Sequence, residues 1–410
     1  MSTILASLPV ILSSVGLFLS VWIVLPAFTA ALLPLTVGAP EISPWLMAGN
    51  AIAIAITVSI RAYPFWKGSV AIACLAFTLS CLPLVQLPLV VRQLSSDLQP
   101  TIGDTYFPAS SSQPPTAFRR HPFTILDSIR GIPTADVIHE SAIPFATPAG
   151  EELALDIYRP ARELPAQTVV LNPTLITIYG GAWQRGSPSN NAEFNRYMAS
   201  QGYTVVALDY RHAPQFRFPA QIEDVWTALA WIDERAERYN IDRDRLAVLG
   251  RSAGAQLAML LAYSKEPPIA DLPPIRAVVS FYGPVNLASG YRQPPIPDPI
   301  DTRQTLEILL GGSPDEVPEL YRQASPISYV RPNLPPSLLI YGGRDLVVKA
   351  EYGRELAQTL EATGNTVAWI EIPWADHAFD TIFNGVSSQL SLYYIERFLA
   401  WTLSPEILSS

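Results

Sequence analysis

Only three charged side chains, Glu41, Arg61 and Lys67, occur in the first 91 residues of this chain. They divide the stretch into three uncharged and largely apolar runs. A helix needs about 20 apolar residues to cross the hydrocarbon core of a bilayer, and each run reaches or nearly reaches that length. The pattern therefore predicts a membrane anchor with three transmembrane helices, near residues 10–36, 43–60 and 69–91.

Two other structures also contain an apolar run, namely a cleaved signal peptide and a buried core helix. A signal peptide carries positive charge ahead of its apolar stretch, whereas no Lys or Arg precedes Arg61 here. Positively charged loops stay in the cytoplasm, so Arg61 and Lys67 favour an extracytoplasmic position for the residues after the third helix. Arg92 favours the opposite orientation. We expect an integral membrane protein whose folded domain is extracytoplasmic.

The overall charge excludes one large class of partners. Lys and Arg number 27 against 36 Asp and Glu, which gives a net charge of −9 at pH 7. An acidic chain lacks the basic surface that neutralises phosphates, so we expect no nucleic-acid partner. Both cysteines, Cys74 and Cys81, fall in the third apolar run. The rest of the chain therefore has no disulfide and no cysteine-based metal site.

The composition changes after the third apolar run. Residues 93–135 are rich in Pro, Ser and Thr and include Ser110-Ser111-Ser112-Gln113-Pro114-Pro115, which is typical of a linker. Within this stretch, Phe123, Leu126 and Ile129 have the spacing of a short amphipathic helix that would lie on the membrane or cover a pocket. We expect a membrane anchor over residues 1–92, a linker over 93–135 and a folded domain over 136–410.

The folded domain alternates strand and helix signals, which is the pattern of a mostly parallel α/β sheet with helices on both faces. Helical stretches at residues 221–238 and 352–362 separate some of the strands. The loops at the carboxyl ends of such strands are where chemistry takes place. The predicted strands are short apolar runs at residues 153–158, 175–179, 204–208, 246–249, 277–281, 337–341 and 367–372.

The sequence Gly250-Arg251-Ser252-Ala253-Gly254 lies between one of these strands and a helix-forming stretch. It is a G-x-S-x-G motif. Between a strand and a helix, this motif places its serine on a sharp turn. The flanking glycines are required because the turn leaves no room for larger side chains. Ser252 is therefore the candidate nucleophile.

A serine hydroxyl needs a base to take its proton, and this base is usually an imidazole held by a carboxylate. The chain has four histidines. His121 and His139 precede the predicted strands, and His212 lies upstream of the serine. His377 directly follows the last predicted strand, so it is the candidate base.

The carboxylate that orients this base is predicted to be Asp345. It follows a predicted strand through Gly342-Gly343-Arg344, and the order Ser252, Asp345, His377 is that of the α/β hydrolases. Asp376 is the alternative carboxylate. It adjoins His377 in the sequence and would have to fold back on its neighbour.

Acyl transfer also needs hydrogen-bond donors for the oxyanion that develops on the carbonyl. The stretch Ile178-Tyr179-Gly180-Gly181-Ala182-Trp183 joins a strand end to a glycine-rich loop. The backbone N–H groups of Gly181 and Ala182, together with that of Ala253 after the nucleophile, are the predicted oxyanion hole. A tight turn that happens to contain two glycines is the plain alternative.

Six motifs within residues 150–385 fit one pattern, namely Tyr179-Gly-Gly-Ala-Trp183, Asp209-Tyr-Arg-His-Ala-Pro214, Phe218-Pro219-Ala220 with Glu223-Asp224-Val225, Gly250-Arg-Ser-Ala-Gly254, Gly342-Gly-Arg-Asp345 and His377-Ala-Phe379. Together they resemble the α/β-hydrolase esterases of the hormone-sensitive-lipase and feruloyl-esterase-like type. The resemblance implies an α/β-hydrolase fold and a structural role for Asp209-Tyr210-Arg211. It also implies a glycine loop closer to those of kynurenine formamidases and membrane-anchored prenylcysteine methylesterases than to three-glycine lipases. Tyr179 replaces the usual histidine, and Ala182 replaces a third glycine.

An insertion at about residues 287–330 is expected to cap the site and to shape the acyl pocket. We interpret the chain as a membrane-anchored serine hydrolase that acts on a small-molecule or lipidic ester without a metal or organic cofactor. Hydrolysis of an amide such as an aryl formamide, or acyl transfer to an alcohol, uses the same three side chains and stays open. A hydrolase fold without catalytic activity, used for binding, is the remaining alternative.

Overall fold

The computed structural model describes residues 3–60, 65–103, 118–161, 171–264, 269 and 271–404. In these ranges the strands are β1 (Val137–Ala146), β2 (Leu153–Pro160), β3 (Asn172–Ile178), β4 (Thr204–Leu208), β5 (Ile241–Arg251), β6 (Ile275–Phe281), β7 (Ser337–Gly342) and β8 (Val367–Ile372). They form one sheet in the order β1-β2-β4-β3-β5-β6-β7-β8. The β1–β2 and β2–β4 pairs are antiparallel, and all later neighbours are parallel.

The α-helices in the same ranges fall into three groups along the chain. The N-terminal group is α1 (Thr3–Ser20), α2 (Leu33–Glu41), α3 (Ser43–Ser59) and α4 (Trp66–Ile102), followed by the short α5 (Ile125–Arg130). The second group lies between β3 and β7 in the sequence and is α6 (Ala192–Ser200), α7 (Ala220–Glu234), α8 (Ala253–Tyr263), α9 (Leu287–Arg292), α10 (Thr302–Leu310) and α11 (Pro318–Gln323). The last group is α12 (Ala350–Ala362) and α13 (Val386–Thr402).

The mostly parallel α/β sheet expected from the sequence is confirmed, and every predicted strand is present. Strands β3, β4 and β7 and the second halves of β5 and β6 are buried on both faces, which is why their sequences contain continuous apolar runs. The sequence pattern did not reveal β1, the edge strand. Its residues alternate between half-buried and exposed, and it carries His139, Glu140 and Pro144 in place of an apolar run.

The prediction of three transmembrane helices is not supported. Among the described residues one helix, α4, is long and apolar enough to cross a membrane, or two if α2 and α3, bent by 80°, form one span. The expected helix at residues 10–36 is wrong, because α1 ends at Ser20 and a break separates it from α2. Pro26 lies in this break and lacks the N–H that would continue a helix.

Helix α4 is longer than the predicted helix at residues 69–91 and extends to Ile102. Helices α1, α2 and α3 and the first part of α4 form an N-terminal bundle. The last turns of α4 extend beyond this bundle and pack into the core of the sheet domain, where Leu94, Leu98 and Ile102 are buried. The Ser95 hydroxyl lies 3.2 Å from that of Tyr394 on α13. The start of the expected linker is therefore a helix that joins the two regions.

The amphipathic segment expected near Phe123 to Ile129 is α5, a single helical segment capped by the Thr124 side chain. Ile125, Leu126 and Ile129 remain about half exposed on it. The indole N–H of Trp45, at the start of α3, donates to the Ser128 carbonyl at 3.2 Å. The Ser110-to-Pro115 tract of the expected linker, and Arg61 in the expected cytoplasmic loop, lie outside the described residues.

Candidate active site

Four parallel strands end at one edge of the sheet, and each is followed by a residue singled out from the sequence. Gly181 follows β3, Ser252 follows β5, Asp345 follows β7 and His377 follows β8. In open α/β sheets the crevice outside the carboxyl ends of the strands is the usual ligand site. The topology thus brings together residues that lie up to 196 positions apart, from Gly181 to His377.

Ser252 occupies the sharp turn between β5 and α8. Its backbone angles are φ 51° and ψ −120°, a conformation that is strained for a residue with a side chain. A Cβ at Gly250 would collide with the Gly254 carbonyl, and one at Gly254 would collide with the carbonyls of Ile178 and Tyr179. Both glycines of the motif are therefore required for the turn to pack against β3.

The side chains of Ser252, His377 and Asp345 form a continuous hydrogen-bonded chain. His377 Nε2 lies 3.0 Å from Ser252 Oγ, and His377 Nδ1 lies 2.8 Å from Asp345 Oδ2. The other oxygen of Asp345 accepts the backbone N–H groups of Val347 and Val348 at 2.8 and 2.7 Å. Because a carboxylate only accepts, Nδ1 carries the ring proton and Nε2 is free to accept the serine proton.

Asp376, the alternative carboxylate, faces away from this relay. Its Oδ1 accepts the backbone N–H of His377 at 2.7 Å and that of Leu346 at 3.4 Å. Burial raises the pKa of Asp376, and a hydrogen bond with the Thr36 side chain opposes that rise. Asp376 therefore helps to hold the loop, while the hydrogen bond to the imidazole comes from Asp345.

The three backbone N–H groups expected to form an oxyanion hole lie on two adjoining turns. Ala182 and Trp183 have positive φ angles of 54° and 60°, which bend the glycine loop after β3. Ala253 is the first residue of α8, where a backbone N–H has no partner within the helix. Across the described part of the chain, the N–H groups of Gly181, Ala182 and Ala253 have no hydrogen bond to a protein oxygen.

Tyr179, which replaces the usual histidine, anchors the glycine loop. Its hydroxyl donates to Asp209 Oδ1 at 2.5 Å and lies 2.9 Å from His212 Nε2. Since the hydroxyl proton goes to Asp209, His212 Nε2–H must be the donor in the second bond. Burial lowers the pKa of His212, which favours this neutral form. The ring of Tyr179 also stacks on Tyr210 with centroids 4.5 Å apart.

A buried ion pair beneath the site was not found from the sequence. Arg251 Nε lies 2.5 Å from Asp380 Oδ2, and both side chains are almost completely buried. The Tyr282 hydroxyl donates to the same carboxylate, and its ring packs on His377 with centroids 4.5 Å apart. The position of Arg251 inside the G-x-S-x-G motif was the available signal, since a charged side chain buried next to the nucleophile needs a partner of opposite charge.

Two cavities meet at Ser252. The smaller, of about 70 Å³, is apolar and extends towards the expected cap, with Trp183, Leu287 and Leu306 in its walls. The larger, of about 540 Å³, is more open and is lined by His377 and Gly181. Within the described ranges, no group of three or more His, Cys, Asp or Glu side chains is placed to hold a metal ion.

Comparison with known proteins shows the family of this chain. Residues 155–360, half of the chain, match the BD-FAE family. The chain belongs to this family. It is 34% identical to Esterase LipC of Mycobacterium tuberculosis over 256 residues, which cover 60% of this chain and 61% of that protein. Esterase LipQ of the same organism is 32% identical over 274 residues, which cover 64% and 63% of the two chains.

This BD-FAE chain spans about three fifths of the length of these curated relatives. Among solved structures it is similar to fungal esterases from Rhizomucor miehei, with 26% identity and a TM-score of 0.56 over 69% of this chain and 87% of that chain. Est2 from Thermogutta terrifontis has 22% identity and a TM-score of 0.52 over 67% and 97%, which shows the common fold. The α/β-hydrolase fold expected from the sequence is thus confirmed.

Proposed function

We propose that this chain hydrolyses carboxylic esters through an acyl-enzyme intermediate. Ser252 Oγ attacks the ester carbonyl while His377 Nε2 takes its proton, and Asp345 stabilises the imidazolium. The developing oxyanion is bound by the N–H groups of Gly181, Ala182 and Ala253. His377 then gives the proton to the leaving alcohol, and a water molecule activated in the same way releases the acid and regenerates Ser252.

One observation carries this proposal, namely the relay from Ser252 Oγ through both ring nitrogens of His377 to Asp345, with distances of 3.0 and 2.8 Å. A buried carboxylate, an imidazole and a serine on a strained turn are a costly arrangement for a fold to maintain without a use. The relatives named as esterases give independent support for an ester substrate.

We also propose that residues 1–92 anchor the enzyme in a membrane, with residues 93–135 as the connection and 136–410 as the extracytoplasmic hydrolase domain. Helices α1, α3 and α4 pack on one another, yet large apolar side chains point outward from them. The buried Asn50 amide donates to the Ser20 hydroxyl at 2.9 Å. Lipid favours helices that have apolar side chains on the outside of a bundle and hydrogen-bonded polar groups on the inside. Helices α9, α10 and α11 would form the cap at about residues 287–330.

The proposal is tested by covalent labelling of the full-length protein in detergent with a fluorophosphonate. The serine oxygen displaces fluoride from phosphorus, and mass spectrometry of the digest should place the adduct on Ser252. Ser252→Ala should abolish labelling, whereas Ser280→Ala, a buried serine at the end of β6, should retain it. An unlabelled wild-type protein, or an adduct on another serine, would contradict the assigned nucleophile.

A further inference from the structure

The two cavities at Ser252 serve different halves of an ester. The leaving-group oxygen must receive a proton from His377 Nε2, so the alcohol has to lie on the side of the serine that His377 lines. Of the two cavities, only the larger has His377 in its lining. The alcohol therefore occupies the cavity of about 540 Å³, and the acyl group occupies the apolar one of about 70 Å³.

One wall of the larger cavity comes from the N-terminal region. Ala30, Leu33 and Val37 line it together with residues of the glycine loop and of the His377 loop. We call residues 30–37 the N-terminal wall. These residues lie in the break after α1 and the first part of α2, more than 140 positions before Gly180, the next residue of the lining. A region that only anchored the enzyme would not contribute to the cavity where the alcohol leaves.

Polar contacts hold the N-terminal wall and the chain on either side of it against both loops that carry the relay. The guanidinium of Arg344, next to Asp345, donates to the backbone carbonyls of Ile23 and Leu25. The Thr36 side chain hydrogen-bonds to Asp376, next to His377.

A third contact lies at the end of α2. A carboxyl oxygen of Glu41 accepts the backbone N–H of Ser387 at 2.8 Å, at the N-terminal end of α13. Chain segments more than 300 residues apart are thus held at fixed positions around the larger cavity.

The N-terminal wall is apolar, and so is the surface that leads to it. Residues 24–40 contain no charged side chain, and Val24, Leu25 and Phe28 remain exposed beside the wall. Pro299 and Ile300 of the expected cap continue this apolar lining, whereas Gln184, Arg185 and Asn190 contribute polar groups to the rest of the cavity. The apolar part favours an apolar group of the leaving alcohol beside the N-terminal wall, because burying that group removes apolar area from water.

We infer that Leu33 and Val37 are specificity-determining residues for the leaving alcohol, and that the substrate is an ester of a short acid with a bulky, apolar alcohol. This inference rests on the proposed hydrolysis at Ser252. It adds that the N-terminal region forms part of the substrate site, and that selectivity for the alcohol and selectivity for the acid are set by separate walls.

The test uses the detergent-solubilised full-length protein and two ester series. One series keeps acetate and lengthens the alcohol from ethyl to dodecyl, and the other keeps ethanol and lengthens the acid from acetate to dodecanoate. Val37→Trp should lower the ratio of kcat/KM for dodecyl acetate to that for ethyl acetate about tenfold or more, because the indole takes up the space beside the N-terminal wall that a long alcohol needs. The corresponding ratio in the acid series should change much less.

Two further variants keep the result interpretable. Val85→Trp, at an exposed valine on the outer face of α4, is the matched control and should leave both ratios as in the wild type. Val37→Ala enlarges the cavity and should raise the dodecyl-to-ethyl ratio, so the test does not depend on whether the Trp variant folds. If the ratio of kcat/KM for dodecyl acetate to that for ethyl acetate were the same in the wild type, Val37→Ala and Val37→Trp, the inference would be overturned. A wild-type protein inactive on every ester would overturn the proposed function itself.

Discussion

The sheet domain and the N-terminal bundle are both rich in apolar residues, but they are built in opposite ways. In the central strands, side chains such as Leu175 and Val248 are completely buried. On α4, Leu75 is 51% exposed, Val85 is 66% exposed and Leu89 is 70% exposed, although the bundle has neighbouring helices to pack against. The first region buries its apolar surface from water, whereas the second presents apolar surface to its surroundings.

The interiors of the two regions differ as well. Helices α1, α3 and α4 of the bundle bury small side chains such as Ala73 and Ala76, which allow helices to approach closely, and uncharged polar groups such as the hydrogen-bonded Asn50. The sheet domain buries ionised pairs, among them Arg251 with Asp380 under the candidate active site. This difference supports the proposed membrane anchor, while the charged groups are concentrated at the edge of the sheet.

The largest expected effect separates the two carboxylates beside His377. Asp345→Asn should lower kcat about 10⁴-fold, because an amide can no longer hold Nδ1–H and leave Nε2 as the base. Asp376→Asn should lower kcat less than about tenfold, since Asp376 contacts backbone N–H groups of the loop and not the imidazole ring of His377. Steady-state hydrolysis of p-nitrophenyl butyrate measures both. A larger loss in Asp376→Asn would reassign the orienting carboxylate.

The next effect concerns charge buried in the sheet domain. Asp380→Asn leaves Arg251 buried without its counter-charge, so we expect the folded state to lose about 3–5 kcal/mol of stability. Asp315→Asn breaks an exposed pair with Arg292 and should cost less than about 1 kcal/mol. Denaturant unfolding of the full-length protein in detergent compares the two. Equal losses would mean that the buried pair contributes no more than a surface pair.

The smallest of these effects tests the outer surface of the bundle. Leu75→Lys puts a charge on the outward face of α4 and should cost about 2.5–3.5 kcal/mol of membrane insertion. Leu171→Lys, at an exposed leucine before β3, should be neutral within about 0.5 kcal/mol. Retention in membranes after alkaline extraction measures both. If Leu75→Lys were retained as well as Leu171→Lys, the exposed face of α4 would not contact lipid.

Local patterns predicted much of the hydrolase domain. The strand signals, the glycines around Ser252 and the loops that carry Asp345 and His377 depend on neighbours in the sequence, so each could be recognised without the fold. Strand β1 could not, because an edge strand with one exposed side has no continuous apolar run. The partner of Arg251 could not be named either, since Asp380 lies 129 positions away.

The N-terminal region was harder to predict because its structure depends on distant contacts. Composition alone suggested one continuous helix through Pro26. The structure has a break there, and the backbone carbonyls that this break leaves without a helical N–H partner accept hydrogen bonds from Arg344, more than 300 residues later. The same distance hid the role of Leu33 and Val37 at the larger cavity. An apolar run has the same sequence pattern whether it faces lipid, a neighbouring helix or a substrate.

The most direct test of the account is hydrolysis of p-nitrophenyl butyrate by the full-length protein in lipid nanodiscs, compared with Ser252→Ala. We expect the wild type to turn over with an initial burst of p-nitrophenol equal to the active sites, as acyl-enzyme accumulation requires. The Ser252→Ala variant should lose the burst, and its kcat should fall by about 10⁴-fold or more, to the residual rate that the oxyanion hole alone supports. A burst, or turnover within about tenfold of the wild type, in Ser252→Ala would contradict the central claim that Ser252, activated by His377 and Asp345, is the nucleophile.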